Sequence, residues 1–146
     1  MENTTSIGIA DTAPAAQRML AAGGTAAMSL GAGIVWYFDP TRAGFLPACP
    51  LYSTTGYACP GCGLTRGFHA LFHGDFLTAL DFNALIPIFV VIFGFFYVST
   101  FLVALRGRAF PIWSVSLPVV YGFLFLLLGF GVLRNLPYYP FNVLFP

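Results

Sequence analysis

Three long apolar runs set the pattern of this chain: Met19 to Phe38, Ala84 to Leu105 and Ile112 to Leu133, with no charged residue inside any of them. Each reaches the ~20 residues that an α-helix needs to cross a bilayer. The second and third are built of Phe, Leu, Val and Ile. The first is rich in Ala and Gly, and its Gly23, Ala27 and Gly31 recur every four residues. That small-xxx-small stripe predicts a helix packed closely on its neighbours rather than one bathed in lipid. The run ends in Trp36, Tyr37 and Phe38, aromatics suited to a membrane interface. Its basic flank is Arg18 alone and no A-x-A-like cleavage site follows, so it reads as a transmembrane helix and not as a signal peptide.

The intervening segments have a different rhythm. In the loop from Asp39 to Asn83, a helical period begins at Leu64. Leu64, Phe68, Leu71 and Phe72 share one face; Arg66, His69 and His73 share the other. This predicts an amphipathic interfacial helix over about 64–73, stopped by Gly74 and Asp75, with a second piece from Phe76 to Phe82. A polar tail occupies residues 1–18, a basic turn joins Arg106 to Pro111, and residues 134–146 form a C-terminal tail. Pro87 and Pro118 are expected to bend their helices. The predicted fold is therefore an all-α membrane protein, with three transmembrane helices and an interfacial helix in a cysteine-containing loop.

Composition narrows the function classes. The chain is 58% hydrophobic and 8% charged, against about 25% charged in soluble domains. A net charge of +1 with no lysine excludes the basic surface that nucleic acid needs. Membrane lipid is the first expected partner. A protein partner or a homo-oligomer is the second, because three helices enclose little. Arg18, Arg106 and Arg108 fall on one side of the membrane; Arg42, Arg66 and Arg134 fall on the other. Setting aside Arg66 and Arg134 as site residues tips the balance to a cytoplasmic N-terminus. No Ser-His-Asp set, phosphate loop or close carboxylate pair supports hydrolase or kinase chemistry, and a non-enzymatic role is favoured.

The reactive side chains gather in one place. All three cysteines and both histidines lie between Cys49 and Asp75. Cys59-Pro60-Gly61-Cys62-Gly63 has the form of a zinc knuckle, with Cys49 as a third sulfur and His69 or His73 as a nitrogen donor. Zinc is the candidate cofactor. The same residues suit thiol–disulfide exchange, with Cys59 and Cys62 as the catalytic pair and Cys49 as a relay thiol, or a plain structural disulfide. Thr65, Arg66, Arg134 and Asn135 are candidates for an anion or lipid headgroup, the alternative for both arginines being interface anchoring. Three functions follow: a metal-bound or cross-linked loop that docks a partner or lipid, a membrane oxidoreductase, and an oligomeric carrier or ligand-binding subunit.

The stretch from Cys49 to Leu85 also resembles the signature of a family of small bacterial membrane proteins, domain of unknown function 2752. The matching residues are Cys49, Pro50, Thr55, Gly56, Cys59, Pro60, Cys62, Gly63, Thr65, Arg66, Gly74, Asp75 and Asn83, and the closing Arg134 to Phe141 is similar as well. Ala84 stands where the family usually has proline, and Gly67 where it usually has alanine. The resemblance implies a multi-pass protein of the bacterial plasma membrane. It supports the position of the site and carries no reaction.

Overall fold

A computed structural model describes residues 13–42, 49–108 and 116–139, which form six helices and no strand. These are α1 (Ala15–Tyr37), α2 (Pro50–Thr55), α3 (Leu64–Phe72), α4 (Phe76–Phe82), α5 (Ile86–Arg106) and α6 (Leu117–Leu133). The all-helical expectation holds among the described residues. Two helices, α1 and α5, are long and apolar enough to cross a membrane, with mean hydropathies of 1.4 and 2.6. The third run yields the 17 residues of α6, which begins after the extended N-cap Ser116; residues 112–115 lie outside the described ones. Most of the polar N-terminal tail and the last residues of the C-terminal tail also lie outside them.

Large apolar side chains stand on the outer surfaces of α5 and α6, among them Val91, Phe96, Leu105, Phe125 and Val132. Water disfavours so much contiguous apolar surface, whereas hydrocarbon accepts it. The prolines expected to bend helices instead begin them. Pro87 and Pro118 occupy the first turns of α5 and α6, where no intrahelical N–H is needed and the fixed φ favours helix.

Helices α1 and α5 pack antiparallel. Arg18, near the start of α1, donates to the carbonyls of Ala104 (3.2 Å) and Leu105 (3.1 Å) at the end of α5. The Ala13 N–H donates to the Gly107 carbonyl at 2.7 Å. Two elements thus satisfy carbonyls that a helix C-terminus leaves open. Midway, the Ser29 and Tyr97 hydroxyls lie 3.1 Å apart. Within the small-residue stripe, Gly31 borders the cavity between α1, α3 and α5. A Cβ at Gly23, Gly24 or Gly31 would meet nothing within 4 Å, and the half-buried line of α1 runs through Ala21, Gly24, Thr25 and Met28. As expected, α1 packs on its neighbours, with its half-buried line beside the stripe rather than along it.

A small core forms where α3 and α4 meet the start of α5. Ala70, Ala79 and Ile86 are buried there, surrounded by Leu64, Phe68, Leu71 and Phe82. Asp75 stops α3 and also begins α4, its carboxylate accepting from the Thr78 N–H at 3.1 Å. Gly67 is held to glycine by this core. A Cβ there would stand 2.7 Å from Ile86 Cδ1 and 3.1 Å from the Ala79 carbonyl oxygen. Gly67→Ala is expected to destabilise the protein by about 1–3 kcal/mol in thermal unfolding in detergent. Adding Ile86→Val should recover part of that loss; equal stability of Gly67→Ala and the parent would contradict this packing.

Candidate metal centre

The loop gathers where α1 and α6 end and α5 begins. Cys49 precedes Pro50, which starts the short helix α2, and Gly56 ends that helix in the left-handed region at φ 75°. This turn of helix was not foreseen in the sequence. It folds Cys49 back towards the Cys59–Gly63 knuckle. There the Cys62 N–H donates to the Cys59 carbonyl (3.0 Å) and the Leu64 N–H to the Gly61 carbonyl (3.1 Å). Gly63, at φ 81°, swings the chain into α3, a conformation glycine adopts without steric cost.

Three sulfurs converge as a result. Cys59 Sγ lies 3.3 Å from Cys49 Sγ and 3.2 Å from Cys62 Sγ, and all three atoms fall within 4.8 Å of one another. All three are free thiols. The spacing suits a shared ion. Zn–S bonds of about 2.3 Å in a tetrahedron place sulfurs about 3.8 Å apart, so a half-ångström opening of the cluster accommodates one. The Cys59 N–H also points at Cys62 Sγ, at 3.2 Å, which favours a thiolate there.

Side chains from two other elements hold the knuckle backbone. Asn83, 1% exposed, donates to the carbonyls of Pro60 (2.9 Å) and Cys62 (3.1 Å) and accepts from the Leu85 N–H (2.9 Å). Asn135 pairs with Ala58 in both directions at 2.8 Å and donates to the Gly131 carbonyl. Arg134 is fully buried. Its Nη1 donates to the carbonyls of Cys59 (2.9 Å) and Cys62 (3.0 Å), and its guanidinium carbon stands 5.1 Å from the Phe130 ring centroid. Gly131 lets α6 come this close, since a Cβ would sit 3.0 Å from Pro60 Cγ.

Electrostatics separates the thiols. The Tyr52 backbone N–H, then the neighbouring Cys59 and Cys62 thiols, draw Cys49 down to about 7. Burial foremost, together with hydrogen bonding to Cys59 and Cys49, pushes Cys62 up to about 12. Burial lowers the Arg134 guanidinium, opposed by the charges of Cys62 and Cys59. In metal-free protein, Cys49 should therefore be alkylated before Cys62. Its rate should climb as pH rises through about 7 and then level, because the thiolate accumulates above that point, while Cys62 stays protonated and slow. Mass spectrometry of the labelled protein checks this, and equal rates at Cys49 and Cys62 would contradict it.

The other candidates lie apart from the sulfurs. His69 Nδ1 is 2.7 Å from the Val35 carbonyl of α1, and His73 Nδ1 is 2.9 Å from the His69 carbonyl. The two imidazoles pack at 4.4 Å, and His73 stacks on Trp36. Both histidines thus link α3 to the end of α1, and among the described residues the cluster contains cysteines alone. The Cys₃His set is not assembled in this structure, because α3 turns its histidine face towards α1. Thr65 and Arg66 are exposed on the first turn of α3, whereas Arg134 and Asn135 direct hydrogen bonds to the knuckle backbone. The structure does not gather these four into one anion site. Arg134 is a buried strut and not an interface anchor. Thr65 instead borders an apolar cavity of about 610 Å³ between α1, α3 and α5, lined also by Met28, Val35, Phe68, Phe93 and Tyr97. The bracing role of Asn83 was missed; its signal was its place in the motif.

Residues 49–97 match the family model described as "Protein of unknown function (DUF2752)". The match bears out the resemblance read from the sequence over about a third of the chain. It spans all three cysteines, Asn83 and the first part of α5, and stops short of Arg134 and Asn135. No curated protein and no solved structure matches the chain.

Proposed function

We propose that the chain carrying this family segment is an integral protein of the bacterial plasma membrane whose three-thiol knuckle binds one thiophilic metal ion at the membrane interface. Zinc is the candidate ion. The observation that carries this reading is the convergence of three free sulfurs within 4.8 Å on a backbone braced by Asn83, Arg134 and Asn135. Protein side chains supply three donors, which leaves a fourth tetrahedral position for water or for a donor from a docking partner. An open position distinguishes this site from closed, purely structural zinc knuckles and suits exchange of the ion or metal-dependent docking. The arginine distribution favours a cytoplasmic N-terminus, with the knuckle on the outer face. Lipid covers the apolar outer surfaces of α5 and α6.

Protein purified anaerobically should retain about one metal ion per chain by elemental analysis. Its three thiols should resist alkylation until a chelator removes that ion. Thiols that alkylate equally fast with and without added zinc would overturn the reading.

A second reading is thiol–disulfide exchange, favoured by the Cys49 thiol at about 7 beside two further thiols. In it, the Cys49 thiolate attacks a partner's disulfide, and a neighbouring thiol resolves the mixed disulfide, releasing the partner as a dithiol. A reversible pair with a potential between about −270 and −120 mV, together with no protection by metal, would favour this reading over the first.

A further inference from the structure

We infer that the Arg134 guanidinium is the buried counter-charge of the occupied thiolate cluster, and that this makes the knuckle select a divalent thiophilic cation over a monovalent one. The inference rests on the metal-binding reading above and names the class of ion.

Among the described residues, Arg134 is the fully buried charged side chain, and it has no carboxylate partner there. The one ion pair among the described residues joins Arg42 and Asp39 on the surface, 3.6 Å apart. Nη1 is engaged by the carbonyls of Cys59 and Cys62, while Nε and Nη2 have no hydrogen-bond partner among the described residues. A guanidinium taken out of water without an anion is strongly disfavoured, and more so at the edge of a bilayer. The nearby groups able to become anionic are the cysteines whose carbonyls it holds.

With all three sulfurs ionised as ligands, charge balance favours one class of occupant. Three thiolates around a divalent ion carry one net negative charge, and Arg134 brings the unit to neutrality. A monovalent ion in the same three thiolates leaves an uncompensated negative charge, and a trivalent ion leaves a positive one. Field strength falls with distance, and a guanidinium fixed on the backbone of two ligands acts at short range. Arginine also suits the position because its planar fork reaches two carbonyls from one nitrogen while its charge persists at any ordinary pH. Arg134 is therefore a positioning and selectivity residue supplied by α6, outside the family segment that provides the sulfurs.

The test is a competition titration of the full-length protein in detergent with Zn²⁺, Cd²⁺ and Cu⁺, comparing the parent, Arg134→Gln and Arg134→Lys. Cadmium–thiolate charge-transfer absorption reports whether the sulfurs still bind, and circular dichroism reports helicity. Arg134→Gln should weaken Zn²⁺ and Cd²⁺ at least tenfold while changing Cu⁺ less, so the divalent-to-monovalent ratio falls. Arg134→Lys keeps the charge without the fork and should keep most of that ratio. An unchanged ratio in Arg134→Gln would overturn the inference, as would a loss in Arg134→Lys as large as in Arg134→Gln, which would make the role geometric. If the parent binds none of the three ions, the metal-binding reading itself is overturned, an outcome distinct from the other two.

Discussion

Replacing Cys59 with serine should weaken zinc binding by about 10²- to 10³-fold. Cys59 is the middle sulfur of the cluster, in contact with both Cys49 and Cys62. Apparent binding energies of ~10–16 kcal/mol for four-ligand zinc sites share out at roughly 2.5–4 kcal/mol per ligand, and each 1.4 kcal/mol is tenfold in affinity. A serine hydroxyl is a hard, largely protonated donor and recovers little of that. The metal-free fold should change little, because the Cys59 side chain is half-buried and the braces on this segment reach its backbone. Chelator competition followed by calorimetry measures both quantities. An affinity within a few-fold of the parent would mean that Cys59 is not a ligand.

Asn83→Ala should have the largest effect on stability. The amide makes three hydrogen bonds at 2.9–3.1 Å, two to knuckle carbonyls and one from Leu85, in a site only 1% exposed. Alanine leaves the Pro60 carbonyl and the Leu85 N–H without those partners. At ~1–2 kcal/mol for each such loss, the expected destabilisation is about 2–4 kcal/mol. Metal affinity should fall as well, by roughly 10–100-fold, as for other groups that orient metal ligands. Asn135→Ala also removes three hydrogen bonds but should cost less, since Asn135 is only half-buried and water can replace part of what is lost. Unfolding in detergent ranks the two variants. A cost below about 1 kcal/mol for Asn83→Ala would show that the knuckle holds its shape without this brace.

The parts of the fold that depend on local patterning were legible in the sequence. The period from Leu64 to Phe72 gave α3 with its ends nearly correct, and Phe76 to Phe82 is α4 as expected. The convergence of Cys49 on Cys59 and Cys62 was also legible, because three rare thiols in one loop have few other uses. What was not legible depends on which groups meet across long separations. Arg134 lies 72 residues from Cys62, and at the end of an apolar run it has the same appearance as an interface anchor. The histidines at i,i+4 suited a metal equally well, but their partner is the backbone of α1. That α1 packs on its neighbours was legible, but the line it uses was not. A stripe of small residues permits close approach without requiring it, and α5 packs on the neighbouring line. Pro87 and Pro118 were misread because a proline ends one helix or begins the next according to where the hydrogen-bonded turn starts. Apolar composition alone does not fix that point.

The central claim is that Cys49, Cys59 and Cys62 bind one ion together. X-ray absorption fine structure at the metal edge of the zinc-loaded protein tests it most directly. The structure predicts three sulfur neighbours at about 2.3 Å and one light-atom neighbour. A shell of nitrogen and oxygen alone, or one sulfur among lighter atoms, would contradict it.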